Sequence, residues 1–344
     1  MVGTRSIPML VAAALGSGTT LAQPPGPAVG WGDNTAGVAT PPPGLYLAVA
    51  AGSEHSLGLR ADGTVAGWGR NRFGETIAPP GRFVAVAAGE WFSVGIREDG
   101  TLATWGRDDL GLMPPPTGTF VRLAAGRMHL LLMRADGTVL GIGNNLFGQI
   151  NVPAGVFVDI AAGEEVSIGI RPDQTLVAWG PTALQNVPAG MFSRIAAGYG
   201  YGMAIRLDGS LAAWGTPNTP ALLTPSGTFN ELSCRLGWCI ARRQSGPLVA
   251  WGSVSPAALQ NVPAGVTFSR FAAGSQWGLA IRCYANCDSS TQSPVLNVTD
   301  FVCFLNAFAA GSTTANCDAS TTLPVLNIND FVCFLDRFAT GCGT

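Results

Sequence analysis

The sequence predicts an all-β fold, a seven-bladed β-propeller closed by its own two ends, followed by a small helical, disulfide-rich module. Three observations carry this. A Trp-Gly pair recurs along the chain at spacings of 35 or 37 residues. Each repeat holds short apolar, β-prone runs separated by tight-turn signals. Six of the eight cysteines lie beyond residue 282, where a second, unrelated repeat begins.

The first repeat has two markers. Trp-Gly occurs at Trp31, Trp68, Trp105, Trp179, Trp214 and Trp251, with Ile142-Gly143 in the one gap. Ala-Ala-Gly recurs with its glycine at Gly52, Gly89, Gly126, Gly163, Gly198 and Gly274, and a degenerate copy, Ser233-Cys234-Arg235, falls in register. Self-similarity at such a period marks a repeat architecture. Within a unit, Phe83 to Val86 is a first strand and Phe92 to Arg97 a second. Asp99-Gly100 is a hairpin turn, because glycine supplies positive φ, and Leu102 to Gly106 is the third strand. The turn returns at Asp62-Gly63, Asp136-Gly137 and Asp208-Gly209. No stretch in this region has a long helical period.

Closure is predicted by the two ends. The repeat region opens on Val29-Gly30-Trp31-Gly32, a third strand without its first two. It ends at Phe268 to Arg282, two strands without a third. Joined, they complete one blade, and radial closure protects the strand edges.

The run Ala50-Ala51-Gly52-Ser53-Glu54-His55-Ser56-Leu57-Gly58-Leu59-Arg60-Ala61-Asp62-Gly63-Thr64-Val65-Ala66-Gly67-Trp68-Gly69 resembles the regulator of chromosome condensation repeat in its short bacterial form. The resemblance spans about residues 29 to 282 and implies the propeller fold. Eukaryotic members of that family exchange nucleotide on a small GTPase and dock on chromatin. Similar short repeats build a secreted bacterial propeller that inhibits β-lactamases. Function does not follow from the fold.

Residues 283 to 344 repeat with a 30-residue period. Ala285-Asn286-Cys287-Asp288 returns as Ala315-Asn316-Cys317-Asp318, and Asp300-Phe301-Val302-Cys303-Phe304-Leu305 as Asp330-Phe331-Val332-Cys333-Phe334-Leu335. Phe301, Phe304, Leu305 and Phe308 have the spacing of one helix face. Each unit reads as an oxygen-rich loop followed by a short amphipathic helix. The module resembles a dockerin, in the bacterial variant that ends in Gly-Cys, as Gly341-Cys342 does. That resemblance implies two EF-hand-like calcium loops and a cohesin-like or surface partner. Asn286, Asp288, Ser290, Asn297 and Asp300 would supply oxygens in the first loop, and Asn316, Asp318, Ser320, Asn327 and Asp330 in the second. Each loop has only two of these as carboxylates and lacks the turn glycine, so the alternative is a pair of Asx-rich turns. Repeat spacing pairs Cys287 with Cys303 and Cys317 with Cys333. Cys283 and Cys342 then close the module, and Cys234 and Cys239 bridge a hairpin in the propeller.

Residues 1–22 read as an export signal. Arg5 precedes an apolar run from Ile7 to Leu15 that is too short to span a bilayer, and Thr20-Leu21-Ala22 offers a cleavage site. The division is therefore 1–22 signal peptide, 23–282 propeller and 283–344 tail. An even cysteine count after the cleavage site favours disulfides in an exported chain. The balance is 19 basic against 21 acidic residues, every basic one arginine, and it carries no electrostatic footprint for nucleic acid.

No nucleophile elbow, phosphate loop, zinc signature or dinucleotide fingerprint occurs. His55 and His129 share a repeat position filled elsewhere by Phe92, Val166, Tyr201, Trp238 and Trp277, so they read as packing residues. Arg60, Arg97, Arg134, Arg171, Arg206, Arg243 and Arg282 form a column beside the hairpin turn, read as a local strand-end cap. The two positions after the repeat glycine vary while their neighbours are nearly fixed. They bring Glu54, Glu90, Trp91, Arg127, Met128, Glu164, Glu165 and Tyr199 to one rim. Aromatic anchors amid charges fit a protein or glycan contact; the alternative is an unconstrained rim. The sequence is thus read as a non-catalytic, exported recognition propeller attached through its tail. Two alternatives are a polysaccharide hydrolase or lyase with a docking module, and an inhibitor of a secreted enzyme.

Overall fold

The computed structural model describes residues 25–282, apart from 109–110, 182–183, 218, 254–261 and 264–267. The export signal and the whole tail, with its ten candidate calcium ligands and six cysteines, lie outside the described residues. Among the described residues no helix is long and apolar enough to cross a membrane.

The structure is all-β. After β1 (Gly26–Gly32), the strands fall into antiparallel three-stranded units. These are β2–β4 (Leu45–Ala51, His55–Arg60, Val65–Gly69), β5–β7 (Phe83–Ala88, Phe92–Arg97, Leu102–Gly106) and β8–β10 (Arg122–Ala125, His129–Met133, Val139–Gly143). Next come β11–β13 (Asp159–Ala162, Ser167–Ile170, Leu176–Trp179), β14–β16 (Phe192–Ala197, Tyr201–Arg206, Leu211–Gly215) and β17–β19 (Phe229–Arg235, Trp238–Arg243, Leu248–Gly252). Finally β20 (Phe268–Ala273) and β21 (Trp277–Arg282) take β1 as their third strand, in register from Ala28↔Ile281 to Gly32↔Trp277. First strands contact one another in the order β2, β5, β8, β11, β14, β17, β20 and back to β2. The sheets therefore ring a central channel. β1 does more than complete its own unit: Gly26↔Tyr46 and Pro27↔Leu45 also tie it to β2.

The core lies between sheets. Val94 and Ile96 of one unit pack with Leu123, Leu130 and Leu132 of the next, and Val166 and Ile168 pack with Phe192, Ala204 and Trp214. Burying one such aliphatic side chain contributes about 1.5–3 kcal/mol. In four of the Trp-Gly pairs, those of Trp68, Trp105, Trp214 and Trp251, the Trp is fixed by its indole N–H. Trp68 donates to the Val38 carbonyl, Trp105 to that of Glu75 and Trp214 to that of Leu184. The Asp-Gly turns also form: Gly63 and Gly100 both have φ of +83°. Asp62 accepts from the backbone N–H and hydroxyl of Thr64.

The histidine position is more than packing. Where it carries a polar side chain, it links its sheet to the next. His55 Nε2 meets Ser93 Oγ at 2.8 Å, and His129 Nε2 meets Ser167 Oγ at 2.9 Å. Those hydroxyls already donate to the Glu75 and Gln149 carbonyls, so each histidine donates from Nε2 and is neutral. Tyr201 donates to the Trp238 carbonyl, Trp238 to that of Gly274, and Trp277 to Ser56 Oγ across the closure. Protonating His55 or His129 would place a charge on a buried Nδ1 that has no hydrogen-bond partner. Burial accordingly lowers the pKa of His55 to about 3 and of His129 to about 4.

This fixes a pH dependence. Below about pH 6.5, where an unfolded histidine titrates, the unfolded chain binds protons that the native chain does not. Stability is full above that pH and falls as pH drops toward the folded values. By pH 5 the loss is about 2 kcal/mol for each histidine. The double substitution His55→Phe and His129→Phe adopts the residue found at Phe92. Thermal melts between about pH 7 and pH 5 should then show a flatter acid limb than the native chain. An unchanged slope would contradict the buried neutral assignment.

Candidate functional site

The positions after the repeat glycine follow the innermost strand of each sheet. The structure places them around the mouth of the central channel, inward of the outer rim. Backbone bonds hold them there. Ser53 N–H donates to the Gly89 carbonyl, Glu90 to Arg127, Arg127 to Gly163, Glu164 to Gly198 and Tyr199 to Leu236. Each bond runs from one sheet to the next. Glycine is needed because the sheets nearly touch: a Cβ on Gly126 would sit 2.4 Å from the Gly163 carbonyl oxygen.

The degenerate copy breaks this rule. Arg235 stands at the glycine position of β17, followed by Leu236 at φ +46° and bracketed by a bond between the Sγ atoms of Cys234 and Cys239. The neighbouring sheet is held instead by Ser233 Oγ, which accepts from Ala273 N–H, and by the Trp238 indole. Only 8% exposed, Arg235 reaches across the channel to β2 and β5. Its guanidinium donates to the carbonyls of Ala51 (3.2 Å), Ala88 (3.3 Å) and Gly89 (3.3 Å) and to Ser53 Oγ (3.1 Å). This side chain closes the mouth.

Around it the structure brings together Glu90, Arg127 and Glu164. Arg127 Nη2 donates to Glu90 Oε1 at 3.0 Å, and its Nε lies 3.5 Å from Glu164 Oε2. Burial pushes the Glu164 carboxyl up, against the pull of Arg235 and Arg127. Burial likewise works against the charge on Arg235, while Glu164 and Glu90 favour it. Glu90 and Glu164 thus pair with the partly exposed Arg127 and lie within electrostatic reach of the buried Arg235. Glu54 is separate, paired with Arg70 at 2.8 Å.

Trp91 belongs to a second group on the same face. Its ring lies 6.2 Å from that of Phe73, and the Arg107 guanidinium sits over both, 4.5 Å and 5.5 Å from the Trp91 and Phe73 centroids. Phe73 is presented by the loop after β4, where Glu75 accepts from the N–H groups of Arg72 and Phe73. Trp91 is partly buried and Phe73 is 41% exposed, so the stack is a platform and not a core contact. The corresponding loop after β10 exposes Leu146 and Phe147, and Tyr199 is 55% exposed. Met128 and Glu165 are half-buried between these groups and the channel ring.

Two units match the regulator of chromosome condensation (RCC1) repeat. The matched residues are 47–75 and 83–111, which are the β2–β4 and β5–β7 units with the loops that follow. Solved structures share the fold, the yeast RCC1 (Prp20) among them. Prp20p from Saccharomyces cerevisiae aligns with a TM-score of 0.65 at 16% identity, over 78% of this chain and 93% of that one. Human WBSCR16 aligns at 0.62 and 15%, over 75% and 98%. The CRINKLY WD40 ectodomain of the Arabidopsis thaliana receptor kinase ACR4 aligns at 0.58 and 21%, over 67% and 88%. No curated protein sequence matches the chain.

The arginine column is structural: it stacks on an aromatic ring at the start of the first strand. Arg97, Arg171 and Arg243 lie over the rings of Phe83, Phe157 and Phe229 at 5.1, 4.2 and 5.0 Å. Arg97 also donates to the Pro80 carbonyl and Arg243 to that of Ser226. The turn aspartates are already occupied by their own Thr or Ser two residues on. Three features escaped the sequence reading: the Arg235 closure, the Phe73–Arg107 side of the platform, and a charged column at the opposite mouth. That column is Arg122, Asp159, Arg194, Glu231 and Arg270, at a strand position that is alanine in β2 and β5. It varies between units as the glycine-following positions do, and the same criterion would have found it.

Proposed function

We propose that the chain is a seven-bladed, non-catalytic recognition propeller that binds a partner protein with the face carrying Trp91. The observation that carries this reading is the Phe73–Trp91–Arg107 platform: two aromatic rings capped by a cation, exposed beside an ion-paired ring of Glu90, Arg127 and Glu164. Tyr199 and Phe147 are further exposed aromatic residues. Aromatic residues and arginine are the types that concentrate binding energy at protein interfaces. The carboxylates beside it are held by guanidiniums, an arrangement suited to electrostatic matching of a partner. Among similar folds, the Prp20p structure is described with binding to Gsp1p and histones, and with Kap60 bound.

Trp91→Ala should weaken partner binding about tenfold or more, since a central aromatic anchor is commonly worth about 2 kcal/mol. Arg60→Ala should leave binding unchanged. Affinity capture on the native and variant chains, from envelope and culture fractions, compares the two. Binding that survives loss of Trp91, or that maps to the hairpin-turn face, would contradict the reading.

The same reading takes the chain as exported, with the tail as a calcium-dependent docking module. Chelation should then lower the melting temperature of residues 283–344 and leave that of the propeller unchanged, by loss of a ligand that binds only the folded state. A calorimetric trace insensitive to chelator, with no heat on adding calcium, would leave a module without calcium.

A further inference from the structure

The channel has a second mouth, on the face of the hairpin turns, and its chemistry differs from the first. The charged column there alternates: Arg122, Asp159, Arg194, Glu231 and Arg270 on successive first strands. The strands bulge just before it, between Phe192 and Arg194 and between Phe268 and Arg270, and a bulge re-aims the residue that follows. The acids are taken. Asp159 pairs with Arg122 at 2.5 Å, and Glu231 with Arg242 at 2.9 Å. Arg194 and Arg270 are left over. Each bonds the carbonyl of its own preceding residue, Ser193 and Ser269, and neither is within ion-pair distance of a carboxylate among the described residues. Arg194 lines the channel cavity, and Arg270 is within electrostatic reach of it.

Behind these cations the cavity wall combines alanines, Ile195, Leu232 and Phe271 with the ion-paired carboxylates Asp159 and Glu231, and Arg235 and Glu164 line it on the side of the other mouth. Arg235 bridges to β2 and β5 across the other mouth. The cavity volume is about 250 Å³, at the small end of ligand pockets. Asp159 and Glu231 lie within electrostatic reach of Arg194 and Arg270 but make their direct ion pairs with Arg122 and Arg242, so the entrance keeps two guanidiniums without a direct carboxylate contact beside a partly apolar wall.

We propose that this mouth binds a small monocarboxylate with a short apolar chain, the carboxylate held by Arg194 and Arg270 and the chain directed into the channel. Guanidinium forks suit the planar carboxylate. The site is on the opposite face from Trp91 and is independent of partner binding there.

The test uses hexanoate, hexylammonium and inorganic phosphate with the purified full chain, read by calorimetric titration and thermal shift. Hexanoate should bind in the millimolar range or tighter and raise the melting temperature. Hexylammonium, with the same chain and opposite charge, should not bind, and phosphate should bind at least about tenfold more weakly for want of the chain. Arg194→Gln should weaken hexanoate about tenfold, as expected for loss of a charge-assisted hydrogen bond, while Arg194→Lys, which keeps the charge but not the fork, should weaken it less. Trp91→Ala should leave hexanoate binding intact. The proposal is overturned if hexanoate does not bind, if hexylammonium or phosphate binds equally well, or if a folded Arg194→Gln chain binds hexanoate as the native chain does. Should Arg194→Gln fail to fold, the three-probe comparison on the native chain decides alone.

Discussion

Deleting residues 23–36 abolishes the cooperative thermal transition of the propeller. This is the largest effect expected. The deletion removes β1, which gives β21 five paired residues and also reaches β2. It removes Trp31, a buried ring 6.4 Å from Phe268. Truncating a buried Trp to Ala alone costs about 3–5 kcal/mol, against a total domain stability of about 5–15 kcal/mol. The deletion also exposes the edge of β21 and loosens the Trp277–Ser56 bond that closes the ring. Calorimetry compares the truncated and native chains. A truncated chain with an unchanged melting temperature would show that the ring does not depend on its closing strand.

Arg235→Ala comes second. The substitution leaves the carbonyls of Ala51, Ala88 and Gly89 without their donor and deprives Glu164 and Glu90 of a buried counter-charge. Removing one partner of a buried charge network typically costs about 3–5 kcal/mol. For a domain of this size that lowers the melting temperature by roughly 10 °C. Arg235→Gly restores the residue of the other repeats and should be no better, because the loss lies in the guanidinium and not the backbone. Adding Glu164→Gln to Arg235→Ala should recover part of the loss, since it removes the stranded carboxylate. An Arg235→Ala chain as stable as the native one would mean that the closure contributes nothing to the fold.

What the sequence made legible was whatever every unit repeats. The strands at Phe92 to Arg97 and Leu102 to Gly106, the Asp-Gly turns and the joining of β1 to β21 all rest on residues that recur. A fold requirement must be met in each sheet, and periodicity exposes it. Arg235 was visible only as a flaw in the pattern, because its role depends on carbonyls from two sheets nearly opposite in the ring. Phe73 and Arg107 meet Trp91 through a loop whose course no strand pattern fixes. The charged column was overlooked for another reason. It begins at Arg122 and Asp159, where β8 and β11 start, and alanines occupy it in the two units that served as the template. The glycine-following residues were found by their variability, yet their place at the channel mouth follows only from the inter-sheet bonds of Ser53, Glu90, Arg127 and Glu164.

The pairing of β1 with β21 also decides which way the molecule faces. Gly26 lies against Arg282, on the side of the hairpin turns, whereas Trp91 and Glu90 occupy the other side. Whatever precedes residue 25 and whatever follows residue 282 therefore leave from a single point, on the far side from the aromatic platform. If the chain is tethered through its C-terminal segment, as proposed above, the tether begins on the side away from the platform. The point of attachment and the proposed recognition surface are then separated by the depth of the sheets, whereas the basic mouth shares the side of the attachment.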